Sequence, residues 1–197
     1  MAATGTRNDN TRAAEVTREP ETGTFVVVHG LALRGTLERL PAGSEGLVQA
    51  GLVHSTAEGY ALTPLGHRRH RALLEMERRT FDLTFLEMAY APLPAVTARL
   101  FELAAEWQAE DDPRRRRLVD RICAIAEAGE LIVRRSAAIA PRFANYVSRL
   151  ESAKRRLLSG NLEYAVGRRV ESILTVWVEM NEDYLQTLGC ASDRNDL

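Results

Sequence analysis

The composition of the chain bounds what it can be. It has 197 residues, of which 45% are hydrophobic and 27% charged. That length predicts one soluble globular protein of at most two small domains, and only 13 Gly and 7 Pro exclude a collagen-like or low-complexity chain. Because 26 Lys and Arg oppose 27 Asp and Glu, the net charge is -1, so any binding to nucleic acid or to an anionic membrane must come from a local patch.

The cysteines and the termini exclude further classes. Cys123 and Cys190 form no CxxC pair and lie near no candidate ligand set, which predicts neither a disulfide scaffold nor a zinc site. Residues 1–23 are polar and lack the apolar core of a signal peptide, and no run of about 18 apolar residues occurs. We therefore expect a cytoplasmic protein with a disordered leader (1–23), a flexible tail (190–197), no cofactor and no membrane contact.

The first predicted elements are helices. Residues 25–33 form an apolar run that predicts a buried helix, with a strand as the alternative. The apolar spacing over residues 36–40 indicates a short helix that Pro41 ends, and Ser44 is a suitable N-cap for a second short helix through Ala50. Two short helices joined by a tight turn predict a helix-turn-helix.

A hairpin and a longer helix follow. Residues 51–62 contain two short alternating runs on either side of Glu58-Gly59, which predicts a β-hairpin. Thr63 and Pro64 then supply a hydroxyl N-cap and a proline at the first helical position. The helix they open is predicted to carry Leu73, Leu74, Met76 and Phe81. The order helix, short helices, hairpin, helix is that of a winged helix.

The rest of the chain, to residue 189, predicts a helical bundle. Helix breaks are expected at Pro92 and Pro94, at residues 111–113, at Pro141 and at residues 159–161, with Asp112 as an N-cap and Gly189 as a C-terminal stop. Between the breaks, apolar residues recur at helical spacing in four stripes, at residues 93–107, 118–139, 143–150 and 166–188. Four amphipathic helices with short connections predict an antiparallel bundle.

Two motifs around the hairpin carry a family resemblance. Gly51-Leu52-Val53 opens the hairpin, and Leu62-Thr63-Pro64-Leu65-Gly66 closes it. In this order they resemble the wing of MarR-like winged-helix regulators, and the match covers about a third of the chain. The resemblance implies a transcriptional regulator that binds DNA through a recognition helix and a wing.

The helical remainder resembles an actinobacterial group of MarR-like proteins, some of which accompany pyruvate phosphate dikinase. Residues 141–150 match the PRFxxYxxRL segment of that group. The closing helix matches the pattern DSYHTVWFELHEDLLxTLG at Ser172, Thr175, Trp177, Glu179, Glu182 and Asp183. Leu174 and Asn181 replace both histidines of the pattern, so any chemistry that needs this imidazole pair is absent from the chain.

The candidate DNA-binding residues lie in the first domain. They are Ser44 and Gln49 at the second short helix, His54 and Ser55 in the wing, and Arg68, Arg69 and Arg71 after it. A recognition helix needs about three turns to follow a major groove, whereas only residues 35–50 are available for both short helices. Five arginines against three glutamates in residues 24–71 are a small excess, so a solvated helix face is the alternative to phosphate contacts.

The closing helix carries a row of polar residues beside its apolar stripe. These are Glu171, Thr175, Glu179, Glu182 and Asp183. Inward-facing carboxylates need partners, and the available ones are Arg142, Arg149, Arg168 and Arg169. Two arrangements follow: a salt-bridge network that fixes the helix register, or a polar pocket with aromatic walls that holds a small ligand. The candidate ligand-binding residues are Arg142, Tyr146, Trp177, Glu179, Glu182 and Asp183.

The sequence thus predicts a mainly α protein. Residues 24–79 form a winged-helix-like domain with a small β-hairpin wing, and residues 80–189 form an antiparallel helical bundle. The favoured function is a non-enzymatic, DNA-binding transcriptional regulator, a homodimer whose bundle dimerises or senses a small-molecule effector. Two alternatives stay open: an accessory module whose winged helix packs against protein, and a regulator-derived enzyme with a small-molecule pocket in the bundle. No catalytic residue and no metal ligand is assigned.

Overall fold

The computed structural model describes residues 23–190 of the chain. It is mainly helical, with a small three-stranded antiparallel sheet, and this confirms the predicted fold class. The chain divides into two compact units between Glu77 and Arg78; we call them the winged-helix-like unit and the helical bundle. Except for residue 23, which is already helical, and residue 190, the predicted leader and tail lie outside the described residues.

The winged-helix-like unit is built on the sheet. Its elements are α1 (residues 23–34), β1 (Thr36–Leu37), α2 (Glu45–Gln49), β2 (Val53–Thr56), β3 (Gly59–Leu62) and α3 (Pro64–Arg78). The strands lie in the order β1-β3-β2, and β2 and β3 form the predicted hairpin. Aliphatic side chains from the helices and the hairpin fill the core: Val27, Val28, Leu31, Leu47, Val53, Leu62 and Leu73.

The predicted helix-turn-helix is wrong. Residues 25–33 are helical, as predicted, but the next apolar residues, Leu37 and Leu40, lie in β1 and in the irregular segment after it. Gly35, at a φ of +79°, follows the last residue of α1, and β1 then pairs with β3. Residues 36–40 are too few to form a stable helix alone, so pairing with the sheet decides their conformation. One helix, α2, therefore lies between β1 and β2 where two were expected.

The start of α3 shows what the motif after the hairpin does. The Thr63 hydroxyl accepts a hydrogen bond from the Gly66 backbone N–H at 3.0 Å and donates one to the Gly51 carbonyl at 2.6 Å. One side chain thus caps α3 and ties it to the start of the hairpin. Gly66 admits no side chain, because a Cβ there would lie 2.1 Å from the Leu52 carbonyl oxygen. Packing within the unit therefore accounts for Thr63 and Gly66 of the motif.

The helical bundle consists of six helices and a 3-10 turn among the described residues. They are α4 (Leu83–Tyr90), α5 (Leu93–Ala109), α6 (Asp112–Ala137), the 3-10 turn (Pro141–Phe143), α7 (Ala144–Leu158), α8 (Glu163–Val166) and α9 (Ile173–Leu188). The longest helix, α6, packs mainly against α4, α5 and α7, and α9 packs mainly against α4, α5, α7 and α8. Trp177 and Tyr184 of α9 are fully buried, as is Phe143. In the part of the chain that the structure describes, no helix combines the length and the apolar composition of a membrane span.

One predicted helix is divided in two. The helix that starts at Pro64 ends at Arg78 instead of continuing past Phe81. Asp82 has an extended backbone and accepts a hydrogen bond from the Thr84 N–H at 2.8 Å, so it begins α4. The apolar stripe continues across this junction, and for that reason periodicity alone did not reveal the break.

Two further boundaries shift by short distances. Asp111, and not Asp112, caps α6, by accepting a hydrogen bond from the Arg114 N–H at 3.2 Å. The fourth stripe is interrupted by a loop, so α9 begins only after Ser172, which is its N-cap. Gly189, at a φ of +75°, ends α9 as predicted.

Candidate functional site

The polar row of α9 meets the start of α7 in a buried cluster. The Asp183 carboxylate, 1% exposed, accepts hydrogen bonds from Nη2 of Arg142 at 2.7 Å and from the Tyr146 hydroxyl at 2.9 Å. Thr187 contacts the same guanidinium and donates a hydrogen bond to the backbone carbonyl of Asp183 at 2.6 Å. A charged donor and a phenol thus satisfy the buried carboxylate. We call Arg142, Tyr146, Asp183 and Thr187 the Asp183 cluster.

A second ion pair lies one turn earlier on α9. Arg149 donates to both carboxylate oxygens of Glu179, at 2.8 and 2.6 Å, and its Nη2 lies 3.0 Å from Oε1 of Glu171. The Arg149 guanidinium also lies over the Tyr146 ring, 5.5 Å from the ring centroid. Through this contact the pair adjoins the Asp183 cluster. Two arginine–carboxylate pairs therefore connect α9 to α7 and to the 3-10 turn that precedes α7.

Burial controls the ionisation of these groups. Burial raises the pKa of Tyr146, and the negative charges of Asp183 and Glu179 raise it further. Burial also raises the pKa of Tyr184, whose hydroxyl donates to the Ser136 hydroxyl at 2.5 Å. Both phenols therefore keep their protons through the physiological range. Neither phenol is poised for general acid–base catalysis near neutral pH.

The geometry favours the salt-bridge network over the ligand pocket. The carboxylates of Asp183 and Glu179 already accept charge-assisted hydrogen bonds from Arg142 and Arg149. A ligand carboxylate or phosphate would have to displace one of these partners and leave its charge buried, which costs several kcal/mol, roughly 3–5. The cluster is therefore suited to fixing the register of α9.

Trp177 lies apart from this cluster. It is fully buried, and its indole N–H donates to the Thr97 hydroxyl of α5 at 2.9 Å. Its ring packs against Gly129 of α6, where a Cβ would lie 2.3 Å from Cζ3 of the indole. Trp177 therefore fills a notch made by a glycine, and its indole N–H bonds to α5 and not to the Asp183 cluster.

Three more candidates stand outside the cluster. Glu182 accepts a hydrogen bond from Gln186 of the same helix at 3.1 Å. Arg168 and Arg169, which the sequence offers as partners for the carboxylates, are exposed in the loop before α9. Of the expected arginines, the two from residues 141–150 thus make the contacts with Asp183 and Glu179.

Two buried residues of the bundle site escaped the sequence interpretation. Thr187 follows Asp183 by four residues, and this helical spacing is a signal that could have revealed it. Ser136 carries no such signal, because its partner Tyr184 is 48 residues away. Tertiary packing alone identifies that contact.

The residues predicted to bind DNA divide between two surfaces. Gln49 of α2 and both His54 and Ser55 of β2 are exposed, and α2 packs against β2. Ser44 is buried and its side chain makes no capping hydrogen bond, so its hydroxyl is not presented to solvent. Neither α2 nor the turn of the wing at residues 57–58 contains a cation. This surface can offer hydrogen bonds but no positive charge.

The predicted DNA-binding residues that carry a positive charge lie on α3, whereas two further arginines of the unit, Arg34 and Arg39, lie outside it. Arg68 and Arg71 are exposed and share a face of α3, whereas Arg69 is half-buried. Burial and the Arg71 charge lower the pKa of His67, so its ring is neutral at pH 7. The arginines alone therefore supply the charge that could meet phosphate groups.

A histidine pair inside the unit is a contact that the sequence did not reveal. Nδ1 of His29 and Nε2 of His70 are 2.8 Å apart, and the rings of Phe25, His29 and His70 stack on one another with centroids 5.0 to 6.5 Å apart. Both histidines are buried. The pair joins α1 to α3 across 41 positions of the sequence and is a structural contact of the core.

The search for metal ligands and the comparisons with known proteins give no further information on the function. Within residues 23–190, no group of three or more His, Cys, Asp or Glu side chains is placed to hold a metal ion. No protein-family model, curated protein or solved structure matches the chain. The MarR-like resemblance therefore stays a prediction from motifs, and the geometry of the residues is what bears on function.

Proposed function

We propose that the chain is a DNA-binding transcriptional regulator of the winged-helix type that acts in the cytoplasm as a homodimer. The observation that carries the proposal is the topology of the winged-helix-like unit. A helix lies between β1 and β2, the sheet order is β1-β3-β2, and the hairpin leads directly into α3. A winged-helix protein presents its recognition helix and wing to DNA in this arrangement.

Contacts with DNA would be mainly with phosphates. The helix α2 has five residues and a length of about 7.5 Å, which is less than two turns. It offers Gln49 as an amide side chain for base edges, whereas Arg68 and Arg71 of α3 supply the charge for phosphate oxygens. We therefore expect modest sequence specificity and a steep dependence of affinity on salt.

The helical bundle would join two copies of the chain. Phe85 and Met88 lie one turn apart on α4 and are 57% and 62% exposed. Two neighbouring large apolar side chains are a surface that pairing with a second copy would remove from water. A symmetric dimer would present two copies of α2 to half-sites about one helical turn apart.

Fluorescence anisotropy with labelled duplex DNA from upstream of its own gene tests the proposal, at about 50 and 200 mM salt. We expect saturable binding at the lower salt that weakens steeply at the higher salt. Removing two phosphate contacts in the double variant Arg68→Gln, Arg71→Gln should reduce the slope of log affinity against log salt by about 2.

A matched control loses the same charge elsewhere. Arg116 and Arg117 are exposed on α6, so the double variant Arg116→Gln, Arg117→Gln should leave the salt slope unchanged. Absence of binding at both salt concentrations, by protein whose circular dichroism shows it folded, would overturn the proposal.

A second candidate function, an accessory module that binds a protein, is supported by a different observation. Val48 is 42% exposed on α2, next to the equally uncharged Gln49, and Glu58 occupies the turn of the wing. A surface with an apolar centre and no cation suits a protein partner better than a phosphate backbone. If DNA binding fails, an accessory module that uses α2 as a protein contact becomes the better interpretation. The enzyme alternative has no comparable support, because arginines already bind the carboxylates of Glu179 and Asp183.

A further inference from the structure

The end of α7 and the turn after it form an open depression of about 410 Å³. Its lining consists of Ser152, Arg155, Arg156, Ser159 and Asn161. These residues are two cations, two hydroxyls and one carboxamide, with no carboxylate among them. We propose that this depression binds a small phosphorylated molecule that also carries hydroxyl groups. The site is independent of the proposed DNA contacts, because it uses different arginines.

Helix geometry and the following turn bring the lining residues together. Ser152, Arg155 and Arg156 of α7 and its C-cap Ser159 follow the spacing i, i+3, i+4, i+7 and are all exposed. Gly160, at a φ of +96°, reverses the chain direction, and the Asn161 N–H then donates to the Arg156 carbonyl at 3.1 Å. The turn thereby folds Asn161 back beside the arginines.

Among residues 23–190, no carboxylate forms an ion pair with the arginines of the depression. Arg134, Arg142 and Arg149 of the bundle each lie within 3.0 Å of a carboxylate oxygen. Arg155 and Arg156, in contrast, have no carboxylate partner among residues 23–190. Two adjacent guanidinium groups without a counter-charge would gain from an anion between them.

One of the two guanidinium groups contacts an aromatic ring. Arg156 lies over the Tyr164 ring, 5.6 Å from the ring centroid. This cation–π contact is not a hydrogen bond to an oxygen acceptor, so the N–H groups of the guanidinium remain available as donors. A partly ordered arginine loses less side-chain entropy when it binds an oxyanion.

The donor inventory indicates the class of ligand. Planar guanidinium groups match the paired oxygens of a phosphate. The Ser159 hydroxyl donates to the Arg156 carbonyl at 2.7 Å, so its oxygen remains available as an acceptor for a ligand hydroxyl. Ser152 and Asn161 can both donate and accept. The volume lies within the range of small-molecule sites, roughly 300–1,000 Å³, so a sugar phosphate suits it better than a bare ion.

Nuclear magnetic resonance of the ¹⁵N-labelled full chain tests the site. Inorganic phosphate, glucose 6-phosphate and glucose are each titrated at constant ionic strength, with sodium chloride as the balancing salt. We expect saturable shifts of the backbone amides of residues 152–161, tighter binding of glucose 6-phosphate than of phosphate, and no response to glucose. The double variant Arg155→Gln, Arg156→Gln should weaken binding about tenfold or more, because it removes the charge-assisted hydrogen bonds.

Two further variants serve as controls, and three outcomes would overturn the proposal. Arg116→Gln, Arg117→Gln removes the same charge from α6 and should change the affinity by less than about twofold. Asn161→Ala, which keeps all charges, should weaken binding of glucose 6-phosphate severalfold. Equal weakening by the two double variants would show non-specific attraction and overturn the proposal. Amide shifts that do not saturate with either inorganic phosphate or glucose 6-phosphate would overturn it as well. So would a response of residues 152–161 to duplex DNA and to neither of these ligands.

Discussion

The two units of the molecule use their arginines in different ways. In the helical bundle, Arg142 and Arg149 are mostly buried and bind Asp183 and Glu179 between α7 and α9. In the winged-helix-like unit, the core is mainly aliphatic and contains one buried histidine pair, and Arg68 and Arg71 lie on the surface of α3. The same residue type is thus part of the architecture where it pairs with α9 and available to a partner on the surface of α3.

This difference shows that the burial of an arginine side chain and its hydrogen-bonding partners determine its role. A buried guanidinium bound to a carboxylate cannot be offered to a ligand without a large free-energy cost. An exposed one contributes little to folding, so its conformation and charge can serve binding. The comparison also separates the Asp183 cluster from the depression on α7, where Arg155 and Arg156 are exposed.

Removal of the buried carboxylate is the change with the largest expected effect. Asp183→Ala leaves Arg142 and Tyr146 without their shared acceptor, so it should lower the free energy of unfolding by about 3–5 kcal/mol. Urea denaturation followed by tryptophan fluorescence measures this. The matched control Arg121→Gln breaks an exposed pair with Glu106 and should cost less than about 1 kcal/mol. Equal losses in the two variants would remove the distinction between buried and exposed arginine pairs.

Alkaline pH should weaken the bundle by a smaller amount. The pKa of Tyr146 and that of Tyr184 are raised in the folded chain, above about 10 in the unfolded chain. Their contribution to stability is therefore complete below pH 10 and is lost as the pH rises above it, by about 1.4 kcal/mol per pH unit for each tyrosine.

Urea denaturation between about pH 8 and pH 11 measures that slope, and phenolate absorbance shows when the tyrosines ionise. In Tyr146→Phe the slope should fall by the contribution of one tyrosine. Ionisation of both phenols near pH 10 in the folded protein would contradict the raised pKa of each tyrosine and the burial that causes it.

Loss of the surface arginines should have the smallest effect on stability. The double variant Arg68→Gln, Arg71→Gln should change the free energy of unfolding by about 0.5 kcal/mol or less, because both side chains are exposed. The same urea titration measures it. A loss comparable to that of Asp183→Ala would mean that these arginines are structural, and the proposed division of roles between the two units would fail.

Local signals predicted much of the fold but only part of the site. Thr63 and Gly189 mark helix ends because capping depends on a few neighbouring atoms. The prediction of the first short helix was wrong, because Leu37 lies in a strand. It pairs with Tyr60 of β3, which lies 23 positions further along the chain. Arg142 and Asp183 were both named from the sequence, but their pairing depends on the approach of two helices.

The sequence by itself determined the mainly helical class, the hairpin, most of the helix ends and the polar row of α9. Periodicity, turn residues and caps act within about one helical turn or one hairpin, so they can be interpreted locally. Only the tertiary structure decided that Trp177 fills the notch at Gly129, that Ser44 is buried, and that Arg155 and Arg156 share an open depression. Those outcomes depend on which side chains compete for the same space and charge, and competition of that kind exists only once the helices have packed.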